Sequence, residues 1–513
     1  MHSIWFWLIF LGYSLAIVAP SFRATGRENT AEAFWRSGRV IPWWWLAISI
    51  SAGWLMLGWI GFGMGQIYMF GCTGLWVLPL PWLILLIVIV VAVPLYRRIP
   101  FYSIPAAMGE RFGAPARILI ACLSLVVFLS WTGAELVMVK TLVGTSLGIA
   151  PRHGWIVLLA FLSPVIIYTW RGGFRAVVFT DVVQFSLMAV FMVCLLAFAW
   201  REARIAVAGQ PMLEFLAHTQ PPGLAAGQKA LDLWNLGPLF PLVLLIGYLP
   251  GWAIEQDLWL RLQVAHTTRA ARRIAWLVLG LVGIFVIVIP AVVAGLALAI
   301  FPPAGGVEAQ AVGGAGSMAI RIIPALIARM PTWLAPLMFL GILACQMSTV
   351  DTFANAAALA LGHDLLGEHG HRNCRPCRMV SVAVLLSALV YAVFMDRLGD
   401  IYYISSGVLS ASIAVPLLAW GWRRVTAGPV LAASAAGALS AIGFYWLEYK
   451  VWALKPPGAL SWLAPSSGYN YLAGCVLTAA GVLVVSTLLW PRSRHAPIRA
   501  TQASEPDRVP EVV

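Results

Sequence analysis

The run Gly74-Leu-Trp-Val-Leu-Pro-Leu-Pro-Trp-Leu-Ile-Leu-Leu-Ile-Val-Ile-Val-Val-Ala-Val-Pro-Leu-Tyr96 contains no charged side chain and stops on Arg97-Arg98. A helix needs roughly 20 apolar residues to cross hydrocarbon, and this run has that length. Its apolar positions are continuous, whereas a strand of a membrane barrel alternates between lipid and lumen. Backbone in lipid must bond to itself, so a spanning helix is what remains.

Similar runs recur to either side, thirteen in all, near 4–21, 42–69, 74–96, 117–147, 154–170, 177–200, 236–256, 274–301, 331–362, 379–396, 401–422, 428–447 and 470–490. Hydrophobic residues are 61% of the 513 and charged residues 10%, against about 25% charged in soluble domains. Mean hydropathy is +0.87. Lipid is therefore the solvent, and membrane lipids are the chain's first partner. The expected fold class is an all-α integral membrane protein of about 13 transmembrane helices. Only Met1, His2 and Ser3 precede the first run, so it lacks the basic start of a signal peptide and is expected to stay as a helix.

The net charge of +13 would suit nucleic acid, but its placement argues for topology instead. With the N-terminus outside, the inner segments hold 23 of the 33 basic residues, the clusters at Arg97-Arg98, Arg272-Arg273 and Arg423-Arg424 among them. That is the positive-inside pattern, which puts the C-terminus in the cytoplasm and the chain in the plasma (inner) membrane; no nucleic-acid partner is expected. The seven cysteines are scattered and imply no disulfide framework.

Two runs are interrupted. The second carries Ser49, Ser51, Gly53, Gly58, Gly61, Gly63 and Gly65, and the seventh carries Gly247, Pro250 and Gly251 ahead of Glu255-Gln-Asp257. Such segments serve ordinary small-residue helix packing. In corresponding positions of two halves they also point to a transporter site, where unwound backbone meets an ion. The domain plan that follows is an accessory helix and inner loop at 1–41, a first five-helix repeat at 42–200 and an outer loop at 201–235. A second repeat at 236–422, two accessory helices at 423–490 and a disordered cytoplasmic tail at 491–513 complete it.

Four stretches carry a family resemblance: Tyr168-Thr-Trp-Arg-Gly-Gly-Phe-Arg-Ala-Val-Val-Phe-Thr-Asp-Val-Val-Gln184, Met347-Ser-Thr-Val-Asp-Thr352 with His363-Asp364, Glu255-Gln-Asp-Leu-Trp-Leu-Arg261, and Ser51-Ala-Gly-Trp-Leu-Met-Leu-Gly58. They resemble the signatures of the sodium:solute symporter family, whose members carry proline, pantothenate, acetate, sialic acid and sugars. The resemblance implies an inverted five-plus-five helix repeat of the leucine-transporter type, with Na⁺ and a small organic solute held between broken helices. It assigns the Ser348 and Thr349 hydroxyls to a sodium site completed by the carbonyls of Cys345, Ile48 and Ser51. That register aligns Gly53-Trp54 and puts Ile50 where proline symporters keep an aspartate. Aligning on Trp43-Trp44 would put Ala52 and Leu55 at the carbonyl positions instead. The resemblance also places Asp181 on the ion pathway and Gln66, Gly251, Trp252, Thr352 and Tyr402 around the solute.

Each of these residues has a plainer reading. Ser and Thr in membrane helices bond back to the preceding turn, and Asp181 would suit a helix N-terminus. Any single Trp or Tyr also suits an interface belt. Glu135 and Lys140 stand inside a long apolar run, where an ionisable group is a functional candidate by default, although Lys140 can reach an interface by snorkelling. His369, His371, Cys374 and Cys377 form a candidate metal group with Cys-x-x-Cys spacing, in a loop whose arginines equally suit an inner segment. The reading of function is a sodium-coupled symporter importing a small organic solute by alternating access. The alternative is a membrane solute sensor on the same fold with a separate signalling partner. No nucleotide loop, nucleophile elbow or zinc-protease helix suggests an enzyme. The sequence leaves the solute and the oligomeric state open.

Overall fold

The computed structural model describes residues 3–25, 30–37, 41–146, 149, 153–302, 315–367, 374–394, 398–466 and 468–489, and its regular elements are helical. The helices that frame the site are α1 (Ser3–Thr25), α2 (Trp43–Gly53), α3 (Leu57–Phe70), α4 (Pro79–Tyr96), α5 (Ala114–Ser146), α6 (Gly154–Ala206), α7 (Leu239–Trp252) and α8 (Gln256–Val264). They continue with α9 (Ala335–Leu359), α10 (Arg375–Phe394), α11 (Leu398–Val408), α12 (Ala427–Trp446) and α13 (Asn470–Leu489). Ten helices among the described residues are long and apolar enough to cross a membrane, or eleven if the bent pair α7 and α8 is one span.

This number is lower than that of the apolar runs because two continuous helical stretches, one of them α3 together with α4, each take in parts of two runs. Leu57–Tyr96 extends over 40 residues and α6 over 53. At about 1.5 Å per residue, α6 would exceed twice the roughly 30 Å of hydrocarbon. Its backbone leaves the helical region at Gly173, with φ 51° and ψ −144°. A Cβ at Gly173 would lie 2.4 Å from the Phe34 carbonyl oxygen, so a short helix, Ala31–Arg36, docks directly into the kink. That short helix starts at Thr30, whose hydroxyl accepts the Ala33 N–H at 3.2 Å.

Helix α2 ends at Gly53, and α3 begins only at Leu57. The Trp54 N–H closes on the Ile50 carbonyl at 3.0 Å and the Leu55 N–H on that of Ala52 at 3.1 Å. The Ser51 and Gly53 carbonyls therefore get no amide from those two residues, as expected at a helix end. Between α7 and α8 the chain bends by 48°. Pro250, one turn before the bend, has no N–H to continue the ladder.

Helix α9 is the central element: 89% of its apolar window is buried, compared with 28% for α1. This explains how a helix carrying Gln346, Ser348, Thr349, Asp351, Thr352 and Asn355 fits among spanning helices, since all six are buried in protein. Both broken helices pack near it. At the far side, Glu448 accepts the N–H groups of Gly468 at 2.7 Å and Tyr471 at 2.9 Å, tying α12 to the start of α13.

Candidate ion and solute site

The break after α2 faces α9. Thr349 Oγ1 lies 3.2 Å from the Gly53 carbonyl oxygen and 3.0 Å from that of Cys345, one turn earlier on its own helix. A hydroxyl and two carbonyls from two helices thus converge in a fully buried place. Ser51 sits in the same last turn of α2 with its hydroxyl bonded back to the Ala47 carbonyl at 2.9 Å. Ile48 lies more than one turn inside α2. Gly53, between the two sequence registers, supplies the carbonyl that meets Thr349.

Ser348 turns the other way and donates to Asp181 Oδ1, while Ser49 donates to Asp181 Oδ2. Arg261, 1% exposed, closes this network. Its Nη2 reaches Asp181 Oδ2 at 3.4 Å and Thr352 Oγ1 at 3.1 Å, its Nε donates to Ser49 at 2.9 Å, and its Nη1 stands 4.0 Å from the Asp257 carboxylate. A buried guanidinium between two buried carboxylates offsets part of their charge, and without it their burial would cost far more. Nearby, Tyr168 donates to one oxygen of Asp351. Asp181 is thus one bond from the candidate ion residue Ser348.

A second group of residues lies beyond the break. Trp59, on the first turn of α3, packs edge-on against Tyr248 at 5.9 Å and Trp252 at 6.0 Å and tilts against Tyr402 at 5.2 Å. Tyr248 and Trp252, one turn apart on α7, stack at 4.3 Å, and Trp82 on α4 meets Trp252 at 5.9 Å. The Gly251 N–H donates to Ser410 Oγ at 3.2 Å. Of the expected solute residues, Trp252, Gly251 and Tyr402 come together here. Thr352 does not: it joins Arg261 on the ion side, where a Cβ on Gly53 would lie 3.0 Å from it. Gln66 is buried further along α3, against the turn that carries Gly74.

Sequence reasoning missed Ser49, Trp59 and Tyr248, and treated Arg261 only as the last letter of a motif. The available signal for Arg261 was its place inside an apolar setting with two acids four and six residues before it. Cys374 and Cys377 are both buried at the start of α10, and His369 and His371 lie outside the described residues. Among the described residues no group of three metal-ligating side chains forms.

Two helices broken at mid-length, facing each other across an aromatic wall and a hydroxyl-carbonyl cluster, define a broken-helix membrane transporter. The sodium:solute symporter family matches residues 34–437, most of the chain, and the chain belongs to it. The sodium/glucose cotransporter of Vibrio parahaemolyticus is 23% identical over 434 residues, 78% of this chain and 77% of that one. The sodium/sialic acid symporter of Proteus mirabilis is 28% identical over 183 residues, 35% and 36% of the two chains. The rabbit sodium/glucose cotransporter 1 is 29% identical over 199 residues, only 29% of its own length. In fold, the chain superposes on a Na⁺-coupled sialic acid symporter solved in a substrate-bound, outward-open state, with TM-score 0.70 and 14% identity over 96% of this chain and 99% of that one. The protein is a sodium-coupled symporter of a small organic solute, embedded in a membrane by many helices. Its family and these relatives are transporters rather than enzymes, and none of them favours the sensor reading.

Proposed function

We propose that Na⁺ and solute are imported together by alternating access around the two helix breaks. The observation that carries this reading is the Thr349 hydroxyl set on the Gly53 carbonyl at the end of α2, with the aromatic wall of Trp59, Tyr248 and Trp252 beginning where the chain resumes as α3. A hard monovalent cation needs several oxygens. Thr349 Oγ1 and the Gly53, Ser51 and Cys345 carbonyls supply them, with Ser348 turned to Asp181 behind the cage and Ile48 set back behind the helix end. Asp181 receives the ion on its way to the cytoplasm. The solute lies on the Trp59 and Trp252 faces against Gly251 and Tyr402, a wall suited to a sugar-sized molecule, which is what the glucose cotransporter relatives carry. Thr352 acts with the ion rather than the solute.

The rest of the plan follows the charge and length arguments. Thirteen crossings result when the 53 residues of α6 cross twice about Gly173, when α4 crosses apart from α2 and α3, and when α7 and α8 form one broken span. The breaks then open two inverted five-helix repeats at 42–200 and 236–422, with 1–41 and 423–490 accessory. The N-terminus lies outside and the C-terminus in the cytoplasm of the plasma membrane. The deciding experiment is counterflow in proteoliposomes: labelled glucose and a set of unlabelled solutes are tested with an inward Na⁺ gradient and with K⁺ in its place. Solute accumulation that needs Na⁺ supports the reading. Accumulation indifferent to Na⁺ and abolished by a protonophore refutes it.

A further inference from the structure

Glu135 is a buried charged residue beside the solute region that the ion site does not use. It is fully buried on α5, and among the described residues it forms no ion pair. Its Oε2 accepts the Gly58 N–H at 3.4 Å, in the first turn of α3, and its Oε1 accepts the Tyr402 hydroxyl. Tyr402 in turn packs on Trp59, so this carboxylate stands directly behind the aromatic wall. Gly58 is what allows the approach: a Cβ there would lie 2.9 Å from Glu135 Oε1 and 3.0 Å from the Tyr402 hydroxyl.

A second observation marks the same place as a site rather than a packed core. Gln346 on α9, 1% exposed, sets its amide N–H beside the Glu135 carboxylate, while its amide oxygen has no hydrogen-bond partner. A buried amide oxygen left unmet is costly, and in a binding site the ligand is what meets it. Among the described residues the two cations of the neighbouring core segments are engaged elsewhere. Arg261 is held by Asp181, Ser49 and Thr352, and Lys140, five residues along α5, donates to the Ala392 carbonyl at 2.9 Å.

We propose that Glu135, with Gln346 and Tyr402, is the polar anchor of the solute, and that it selects solutes that donate hydrogen bonds, through hydroxyl or ammonium groups, and rejects those carrying a net negative charge. This rests on the transport reading above and names its substrate class. A carboxylate accepts only, so it pairs with O–H or N–H⁺ groups and repels another carboxylate. In a dry setting that repulsion is unscreened, and among the described residues no guanidinium or ammonium stands beside Glu135 to cancel it. The Gln346 amide can both give to and accept from a second hydroxyl, and the Trp59 face covers the solute's apolar side. A sugar or polyol and a small amine both meet these terms. A sialic acid, with its carboxylate, does not.

The test is a thermal-shift panel on the purified full-length protein in Na⁺ buffer and in K⁺ buffer. The panel holds D-glucose and mannitol for hydroxyl donors, ethanolamine for an ammonium, glucosamine for both, and acetate and N-acetylneuraminate for anions. Na⁺ alone should raise the melting temperature, and failure of that arm would count against the transport reading itself. Stabilisation beyond the Na⁺ effect by the hydroxyl group, the ammonium group or both supports the proposal and tells the two donors apart. Glu135→Gln should weaken the active compound's apparent affinity by about tenfold to a hundredfold, as the loss of a charge-assisted bond would. Its Na⁺ response should stay as in the parent. Glu135→Asp should recover part of the affinity. Stabilisation by the anions alone, by none of the six compounds, or to the same degree in Glu135→Gln overturns it.

Discussion

Thr349→Ala removes one hydroxyl from the place where α2 stops and α9 passes. In the parent that hydroxyl lies 3.2 Å from the Gly53 carbonyl oxygen and 3.0 Å from that of Cys345. The variant therefore deletes an ion ligand and leaves the Gly53 carbonyl, at an exhausted helix end, without its partner. An unmet buried polar group costs about 1 to 3 kcal/mol, which is roughly a 5- to 150-fold loss in an equilibrium constant. The concentration of Na⁺ for half-maximal uptake should rise by that factor. Solute affinity should fall only where Na⁺ is limiting, because coupling between two ligands is reciprocal and saturating ion restores the damaged site. Thr349→Ser keeps the oxygen and should stay within a few-fold of the parent. The assay is initial uptake in proteoliposomes against Na⁺ concentration at saturating solute, with the Na⁺-dependent melting shift as a readout that needs no solute. If Thr349→Ala is inserted normally and both Na⁺ curves are unchanged, the ion does not bind at the α2 break.

Arg261→Met should lower stability by about 3 to 5 kcal/mol, because it strands the buried Asp181 and Asp257 carboxylates. Adding Asp181→Asn should recover part of the loss in thermal melts, and equal melting of single variant and parent would contradict the network. In Gly251→Ala the new Cβ would meet Ser410 Oγ at 2.4 Å and the Ser410 backbone nitrogen at 2.9 Å. Overpacking of about 1 to 3 kcal/mol is expected, with only partial relief from Ser410→Ala, measured as melting temperature and uptake. Reporter fusions after Arg378 and after Val513 should both read cytoplasmic, and a periplasmic signal from either would break the thirteen-crossing topology.

The breaks were legible because Gly and Pro interrupt two otherwise apolar runs, and helix physics leaves few other uses for Pro250 in that setting. Thr349 and Ser348 were legible as hydroxyls in an apolar helix, but their orientation was not. One faces Gly53 and the other Asp181, and which way each turns depends on neighbours contributed by α2 and α6. The register of the carbonyls was equally hidden: Ile48, Ser51, Ala52 and Leu55 were all candidates, and the choice of Gly53 follows from how Trp54 and Leu55 fold back on α2. The Asp181 network joins residues 49, 181, 261, 348 and 352, and Glu135 finds Tyr402 at a separation of 267 positions. No local pattern announces pairings at that distance. The number of crossings stayed ambiguous for a related reason: α6 runs through two apolar segments that hydropathy separates at Arg171-Gly-Gly-Phe-Arg175.

Within that segment, Gly173 holds a backbone geometry that L side chains rarely adopt and has the Phe34 carbonyl pressed against it. The second glycine of the most recognisable motif is thus dictated by carpentry: it is the notch into which the Ala31–Arg36 helix fits. At the motif's other end Thr180 bonds back to its own helix, and Asp181 accepts from Ser49 and Ser348. A single signature therefore carries two messages with different tolerances. Gly173 would persist in a descendant that had lost its polar network but kept its shape, so a match on it speaks for the architecture, while the acid at the motif's end speaks for the network.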